Sequence, residues 1–142
     1  CIRDRELPSP LRNPYEALIL ASLVEEEAKT YRDRRLVAGI FLKRLRQGKP
    51  LESCASVNYL LPKKKKVLSQ KDLAIESPYN TYRHKGLPPA PITNPSLESI
   101  RAVLYPLSSP YLYFLSDKEG KLYFSRTYEE HLYWREKIYG EE

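Results

Sequence analysis

Three consecutive carboxylates, Glu25, Glu26 and Glu27, follow an apolar run in the stretch LILASLVEEEAKT. At the helical repeat, Glu26 points away from the apolar side, whereas Glu25 and Glu27 lie on its two borders. A carboxyl group half-buried against Leu and Ala loses hydration, which raises its pKa toward neutrality. Cleavage of a glycosidic bond needs such a group, because the general acid must still hold its proton near neutral pH.

The periodicity leaves the choice between Glu25 and Glu27 open. The simplest alternative is that all three glutamates form a solvated helix end. Negative charge at a helix C-terminus opposes the helix dipole and is mildly destabilising. This cost favours a further requirement that keeps at least one of the carboxylates in place.

Two helices are predicted to position these carboxylates. The first spans about 14–29, with Asn13 as N-cap and Pro14 at the first helical position. The second spans about 33–47 and stops at the sequence GKP, which begins with Gly48. Together they form a helical hairpin.

The region 51–95 is rich in Pro, Ser, Asn and Tyr and lacks a clean period. Short helices are predicted at SVNYLL and at SQKDLA, where Ser69 is the N-cap. The segment SPYNTYRHKGLPPAPITNP contains five prolines, which exclude helix interiors and central strands. We expect an ordered, irregular loop there, and a loop of this length usually has a function.

The C-terminal third predicts a small antiparallel sheet between two helices. A third helix starts at Asn94 and Pro95 and ends before Pro106. Strands are predicted at 111–115 and 121–125, joined by the turn DKEG, and a last helix runs from the cap Thr127 to Gly140. The predicted fold class is α+β: a helical hairpin and further helices packed with a C-terminal β-hairpin, plus the long Pro-rich loop.

The composition predicts one domain over 1–142, with 42% hydrophobic residues and no apolar run long enough to span a membrane. The chain starts at Cys1 and has no Met, so we expect a fragment of a longer protein. Cys1 and Cys54 allow one disulfide or two free thiols. The net charge of +6 is concentrated in Lys63 to Lys66, a run more typical of a solvated loop than of a binding site. Two isolated histidines predict no metal site, and no cofactor is expected.

Several blocks together resemble the endolytic murein transglycosylases, the MltG or YceG-like family. They are NPYEALILASLVEEEA, VAGIFLKRLRQGKPLES, SPYNTYRHKGLPPAPITNP and YLYFLSDKEGKLYFSRTYEEH, and the resemblance covers about residues 7–135. It implies an enzyme at the extracytoplasmic face of the bacterial cytoplasmic membrane. Such an enzyme cuts nascent peptidoglycan strands between N-acetylmuramic acid and N-acetylglucosamine and leaves 1,6-anhydro ends. The resemblance also implies an upstream membrane helix, a LysM-like domain and a peptidoglycan synthase partner.

The resemblance implies that Glu25 is catalytic, because the first glutamate of the family's ASIVEKE block matches Glu25 in ASLVEEE. Glu27 is then a supporting residue. Glu25 would protonate the glycosidic oxygen and afterwards accept the proton of the muramyl 6-hydroxyl as that oxygen attacks C1. One carboxyl group suffices, since the nucleophile is part of the sugar.

The substrate-binding candidates lie in two blocks. Asn80 of YNTY is expected to hold the N-acetyl group or the attacking hydroxyl, or else to form a turn. Tyr79 and Tyr82 are candidates for stacking on sugar rings, with a core position as the alternative. Ser56 and Tyr59 match the family in kind within LESCASVNYLL.

The same block departs from the family's common LQSDPTVIYGL. Glu52 replaces Gln, Cys54 replaces Asp and Ala55 replaces Pro. If Glu52 positioned water, the reaction would shift to hydrolysis, so a muramidase is the first alternative. A non-catalytic module that binds nucleic acid through its lysines and tyrosines is the second, although no nucleic-acid partner is expected.

Overall fold

A computed structural model of the chain describes residues 7–65 and 68–140. Cys1 and Lys66, which enter two of the expectations above, lie outside these ranges. Within them the chain forms six helices and two strands, in the order α1 Pro14–Glu27, α2 Tyr31–Arg46, α3 Cys54–Asn58, α4 Gln70–Leu73, α5 Leu97–Leu104, β1 Tyr113–Ser116, β2 Leu122–Ser125 and α6 Tyr128–Tyr139.

The helical hairpin is present, with small shifts at its boundaries. Asn13 caps α1 by accepting the backbone N–H of Glu16, and α1 ends at Glu27, two residues before the predicted end. α2 starts two residues earlier than predicted, because Thr30 accepts the backbone N–H of Asp33 and so caps the helix. The second helix therefore begins only a few residues after the three glutamates.

The hydrophobic core lies where α1, α2 and α5 pack together. Its largest fully buried side chains include Leu20, Leu23 and Ile40, together with Phe41, whose exposed fraction is 0%. α5 begins at Leu97 rather than at the predicted Asn94, because Ser96 is its N-cap and accepts the backbone N–H of Ser99. The first turn of α5 therefore lies against α1, where the glutamates are.

The two short helices are confirmed near their predicted places. α4 has the expected cap at Ser69, and Asp72 completes a reciprocal capping box with it. α3 starts earlier than predicted, at Cys54. The Pro-rich segment carries no helix or strand until α5, as expected.

The β-hairpin pairs Tyr113 with Ser125 and Ser116 with Leu122 in antiparallel register. Its predicted turn is confirmed, with Gly120 at φ +89°. Phe114 joins the hairpin to the core through an edge-on contact with Phe41 at 5.6 Å between ring centroids. α6 lies against both strands, with Thr127 as its N-cap and Gly140 at its end, as predicted. The α+β class is thus confirmed.

No helix in the described part of the chain is long and apolar enough to cross a membrane.

A substitution at Gly39 of α2 tests the contact between this helix and the segment after α5. A Cβ atom at position 39 would lie 2.4 Å from the carbonyl oxygen of Leu107. We expect Gly39→Ala to lower the free energy of unfolding by about 2 kcal/mol, because the backbone would have to shift. Urea denaturation measures this loss. Arg32→Ala, an exposed change on the same helix, should alter stability by no more than about 0.5 kcal/mol. An equal effect of both changes would contradict the close approach.

Candidate functional site

Glu25 connects the end of α1 to the start of α5. Its Oε1 accepts hydrogen bonds from the backbone N–H of Ser96 at 2.8 Å and from the hydroxyl of Ser99 at 2.7 Å. Its Oε2 forms an ion pair with Arg34 at 3.2 Å. Both oxygens of this carboxylate are therefore engaged, and they join α1 to α5 and to α2.

The prediction that the pKa of Glu25 is raised is wrong. Partial burial does act to raise it, with 22% of the side chain exposed. The hydrogen bonds from Ser96 and Ser99 and the charge of Arg34 outweigh burial, and the pKa of Glu25 lies below its ordinary value. Glu25 is thus ionised near neutral pH.

Glu27 faces a different element, the first turn of α3. Its Oε1 accepts hydrogen bonds from the Ser53 hydroxyl at 3.1 Å and from the backbone N–H of Ala55 at 3.0 Å. Oε2 has no hydrogen-bond partner in the described part of the chain. One of the two oxygens of this half-buried carboxyl group therefore keeps its hydrogen-bonding capacity unused.

Burial raises the pKa of Glu27 above its ordinary value, although Ala55, Ser53 and the charge of Arg44 oppose this effect. The last turn of α1 thus carries two carboxyl groups with opposite properties. The pKa of Glu25 lies below its ordinary value, whereas that of Glu27 lies above it. Glu26, between them, pairs with Lys64 at the surface.

The YNTY segment of the Pro-rich loop holds α3 in place. Thr81 accepts the backbone N–H of Ser53 at 2.8 Å, and its hydroxyl lies 2.8 Å from that of Ser56. Both Thr81 and Ser56 are buried. Ser56 therefore stabilises the support of Glu27, and its position leaves it no surface for the predicted contact with substrate.

Asn80 is fully buried as well. Its amide group donates to the carbonyl oxygens of Leu73 at 3.0 Å and Ile75 at 2.7 Å. Its side-chain oxygen accepts the backbone N–H of Tyr82 at 2.9 Å. The geometry thus favours the turn-forming alternative over the predicted contact with an N-acetyl group.

Cys54 and Tyr82 lie beside Glu27. The Cys54 sulfur and the Tyr82 hydroxyl are 3.1 Å apart, and Cys54 carries a free thiol. Burial, together with the negative charge of Glu27, raises the pKa of Cys54 to about 11, so the thiol stays neutral. Burial also raises the pKa of Tyr82.

The remaining candidates are more exposed. Tyr59 and Tyr79 pack against each other with ring centroids 5.1 Å apart, and 50% of Tyr59 is exposed. Glu52 is exposed and lies in the left-handed region at φ +52°. All three stay candidates for contact with a ligand.

Sequence reasoning missed three residues that support the site: Ser53, Thr81 and Arg44. Arg44 lies on the apolar face of α2, where a charged side chain is unusual. Its guanidinium donates to the carbonyl oxygens of Leu51 and Leu112, and so connects α2 to the chain before α3 and to the approach to β1. A cation on an apolar helix face was the signal that could have identified it.

Among the residues of ranges 7–65 and 68–140, no group of three His, Cys, Asp or Glu is arranged to hold a metal ion.

Comparison with known proteins identifies relatives over most of the chain. The profile of the YceG-like family matches residues 3–137. An endolytic murein transglycosylase of Bacillus subtilis is 42% identical over 123 residues, which are 87% of this chain and 34% of that protein. An endolytic murein transglycosylase of Streptococcus pneumoniae is 40% identical over 122 residues, which are 82% of this chain and 22% of that protein.

The crystal structure of a putative YceG-like protein from Listeria monocytogenes superposes with a TM-score of 0.78 at 44% identity. The superposition covers 84% of this chain and 39% of that one. The chain therefore spans about a third or less of the length of the curated relatives it matches.

The contacts of Glu25 predict a pH-dependent stabilisation. We expect Glu25→Gln to lower the free energy of unfolding at pH 7 by about 2 kcal/mol, because three donors lose a charged acceptor. Since the folded-state pKa of Glu25 is depressed, its contribution is present above the ordinary value of 4.5 and is lost as the pH falls through the folded-state pKa. The two proteins should therefore converge in acid, as measured by urea denaturation at several pH values.

Glu26→Gln is the matched control, because the pair of Glu26 with Lys64 is exposed and contributes about 0.5 kcal/mol or less. A difference between wild type and Glu25→Gln that grew toward low pH would contradict the depressed pKa of Glu25.

Proposed function

The chain belongs to the YceG-like family, and on that premise we propose that it is the catalytic domain of an endolytic peptidoglycan transglycosylase. The bond cleaved is that between N-acetylmuramic acid and N-acetylglucosamine, and the product carries a 1,6-anhydro end. The names of the two bacterial relatives support the reaction class. The observation that carries the proposal is the carboxyl group of Glu27, which is half-buried and has one oxygen without a hydrogen-bond partner among the described residues.

We assign the proton transfer to Glu27 rather than to Glu25, the residue favoured by the sequence. A general acid must be protonated and must present that proton to the leaving group. Glu27 fits both conditions better, because its pKa is raised and Oε2 has no hydrogen-bond partner within the described residues. Glu25 meets neither, because its pKa is lowered and both of its oxygens are bonded. Glu25 instead positions the last turn of α1.

The reaction proceeds without added water. The C1–O glycosidic bond breaks, its electron pair goes to the leaving oxygen, and that oxygen takes the proton from Oε2 of Glu27. The 6-hydroxyl oxygen of the same muramyl residue then bonds to C1, and its proton returns to the Glu27 carboxylate. Because the nucleophile is attached to the sugar, no second carboxylate is needed to activate it.

The surroundings of Glu27 suit these two roles. The Ser53 hydroxyl and the Ala55 N–H hold Oε1 in a fixed orientation and stabilise the carboxylate that forms after proton donation. Arg44 adds a positive charge that opposes too high a pKa. Burial and the charge of Arg44 therefore act on the pKa of Glu27 in opposite directions.

Murein lies outside the cytoplasmic membrane, so we infer that the domain acts on the extracytoplasmic side. Attachment through an upstream membrane helix, and work beside a peptidoglycan synthase, are further expectations from the family resemblance.

Replacement of each glutamate separates the two assignments. We expect Glu27→Gln to reduce cleavage of uncrosslinked glycan strands by about a hundredfold or more, the usual contribution of a general acid. Glu25→Gln should keep most of the activity at a temperature where it is folded, and Glu26→Gln should match wild type. Mass spectrometry identifies the products, since 1,6-anhydro ends are one water lighter than reducing ends.

Three results would overturn parts of this proposal. Loss of cleavage in Glu25→Gln with retention in Glu27→Gln would return the catalytic role to Glu25. Reducing ends from the wild type would make the domain a muramidase. Absence of cleavage by wild type, both alone and in the full-length protein, would favour a binding module.

The neutral thiol of Cys54 offers a way to shift the pKa of Glu27. We expect Cys54→Asp to raise it further, because a second carboxylate beside Glu27 disfavours its charged form. The cleavage rate should fall with rising pH around the pKa of Glu27, so this falling limb should move to higher pH. Cys54→Asn, which adds no charge, should leave the limb in place. A shift to lower pH in Cys54→Asp would contradict the role of Glu27 as the acid.

A further inference from the structure

A cavity of about 120 Å³ lies between the end of α2 and the chain that leads into β1. Arg44, Lys49, Glu52 and Tyr113 are among the residues that line it. Its volume is well below the 300 Å³ or so of a typical ligand pocket, so it fits one amino-acid-sized group rather than a sugar pair.

One residue that lines this cavity, Glu52, is next in sequence to a residue that supports Glu27. Glu52 precedes Ser53, whose hydroxyl donates to Glu27. Arg44 donates to the carbonyl oxygen of Leu51 on the other side of Glu52, and its charge acts on both Glu27 and Glu52. The cavity is therefore connected, through Glu52 and Arg44, to the residues that surround Glu27.

The backbone at Glu52 is strained. Its φ of +52° lies in the left-handed region, which a residue with a Cβ rarely adopts and which costs about 1 kcal/mol or more. The hydrogen bond from the backbone N–H of Glu52 to the carbonyl oxygen of Thr81, at 3.2 Å, holds it there. The fold thus keeps a carboxylate, where glycine would be unstrained, at the rim of this cavity.

The cavity carries charges of both signs, and the charge of Glu52 acts on Arg44, although no ion pair joins their side chains among the described residues. Within the described ranges, the side chains of Lys49 and Glu52 make no hydrogen bond or ion pair. Arg44, in contrast, is anchored by two carbonyl oxygens and contributes fixed positive charge. A group with both a carboxylate and an ammonium would find a partner for each.

A second cavity, of about 150 Å³, does not offer the same unpaired charges. It lies on the other side of α2 against Leu107, and both cations on its lining already have partners. Lys43 donates to the carbonyl oxygens of Ser109 at 2.7 Å and Tyr111 at 2.6 Å, and Arg46 donates to that of Ser9 at 2.8 Å.

We propose that the cavity at Lys49 and Glu52 binds a zwitterionic amino-acid unit of the stem peptide that muramic acid carries in peptidoglycan. Lys49 and Arg44 receive its carboxylate, and Glu52 receives its ammonium group. This subsite makes the enzyme prefer strands with stem peptides over bare glycan, and it rests on the proposed function for its substrate.

Matched strands test the preference. Uncrosslinked glycan strands are digested with and without prior removal of their stems by an amidase, and kcat/KM is compared. We expect wild type to favour stem-bearing strands by about tenfold, the effect of one charge-assisted contact. In the double variant Lys49→Gln with Glu52→Gln, this ratio should fall toward one. Lys71→Gln with Glu119→Gln removes the same charges on α4 and in the β-hairpin turn, and should keep the wild-type ratio.

Direct binding makes the test independent of cleavage. Free stem pentapeptide is titrated into the ¹⁵N-labelled domain, and we expect shifts at residues 44–52 that the double variant abolishes. Cleavage without stem preference and without these shifts would overturn the subsite while leaving the proposed function intact. Variant-sensitive binding of the peptide without cleavage of any strand would support the subsite and refute the proposed function. An unchanged ratio in the double variant would also overturn the subsite.

Discussion

The hydrogen bonds from Ser53 and Ala55 to one oxygen of Glu27 are the contacts on which the proposed chemistry depends. They fix a half-buried carboxyl group by one oxygen and leave the other without a hydrogen-bond partner among the described residues, as a proton donor requires. Ser53 is itself positioned by Thr81, whose hydroxyl accepts the backbone N–H of Ser53. The long Pro-rich loop therefore contributes indirectly, because it fixes the turn whose donors hold Glu27.

The two glutamates at the end of α1 show how a neighbouring helix decides the chemistry of a carboxyl group. Glu25 lies against the start of α5 and Arg34, where two hydrogen bonds and an ion pair favour its charged form. Glu27 lies against α3, where burial outweighs the donors. The same residue type, one helical half-turn apart, thus gives a structural anion and a proposed acid.

Local signals in the sequence predicted most of the elements, because caps such as Asn13 and Thr127 and breakers such as Pro106 act within a few residues. The choice between Glu25 and Glu27 lay beyond such signals. It depends on donors from Ser96 and from Ala55, which the fold brings to α1 from distant segments, and no periodicity within the helix reports them. The family resemblance favoured Glu25, whereas the contacts favour Glu27.

Asn80 shows the same limit. Its residue type and its place in a loop are compatible with either a ligand or a turn, and only its burial and its bonds to Leu73 and Ile75 favour the turn. Arg44 is the converse case, since its position on an apolar helix face was visible but its partners were not.

The most direct measurement is a pH titration of the two carboxyl groups by carbon-detected NMR, with Glu25→Gln and Glu27→Gln to assign the signals. We expect the signal of Glu25 to titrate below 4.5, the ordinary value, and that of Glu27 to titrate above it. The reverse order would contradict the assignment of Glu27 as the proton donor and restore Glu25 to that role.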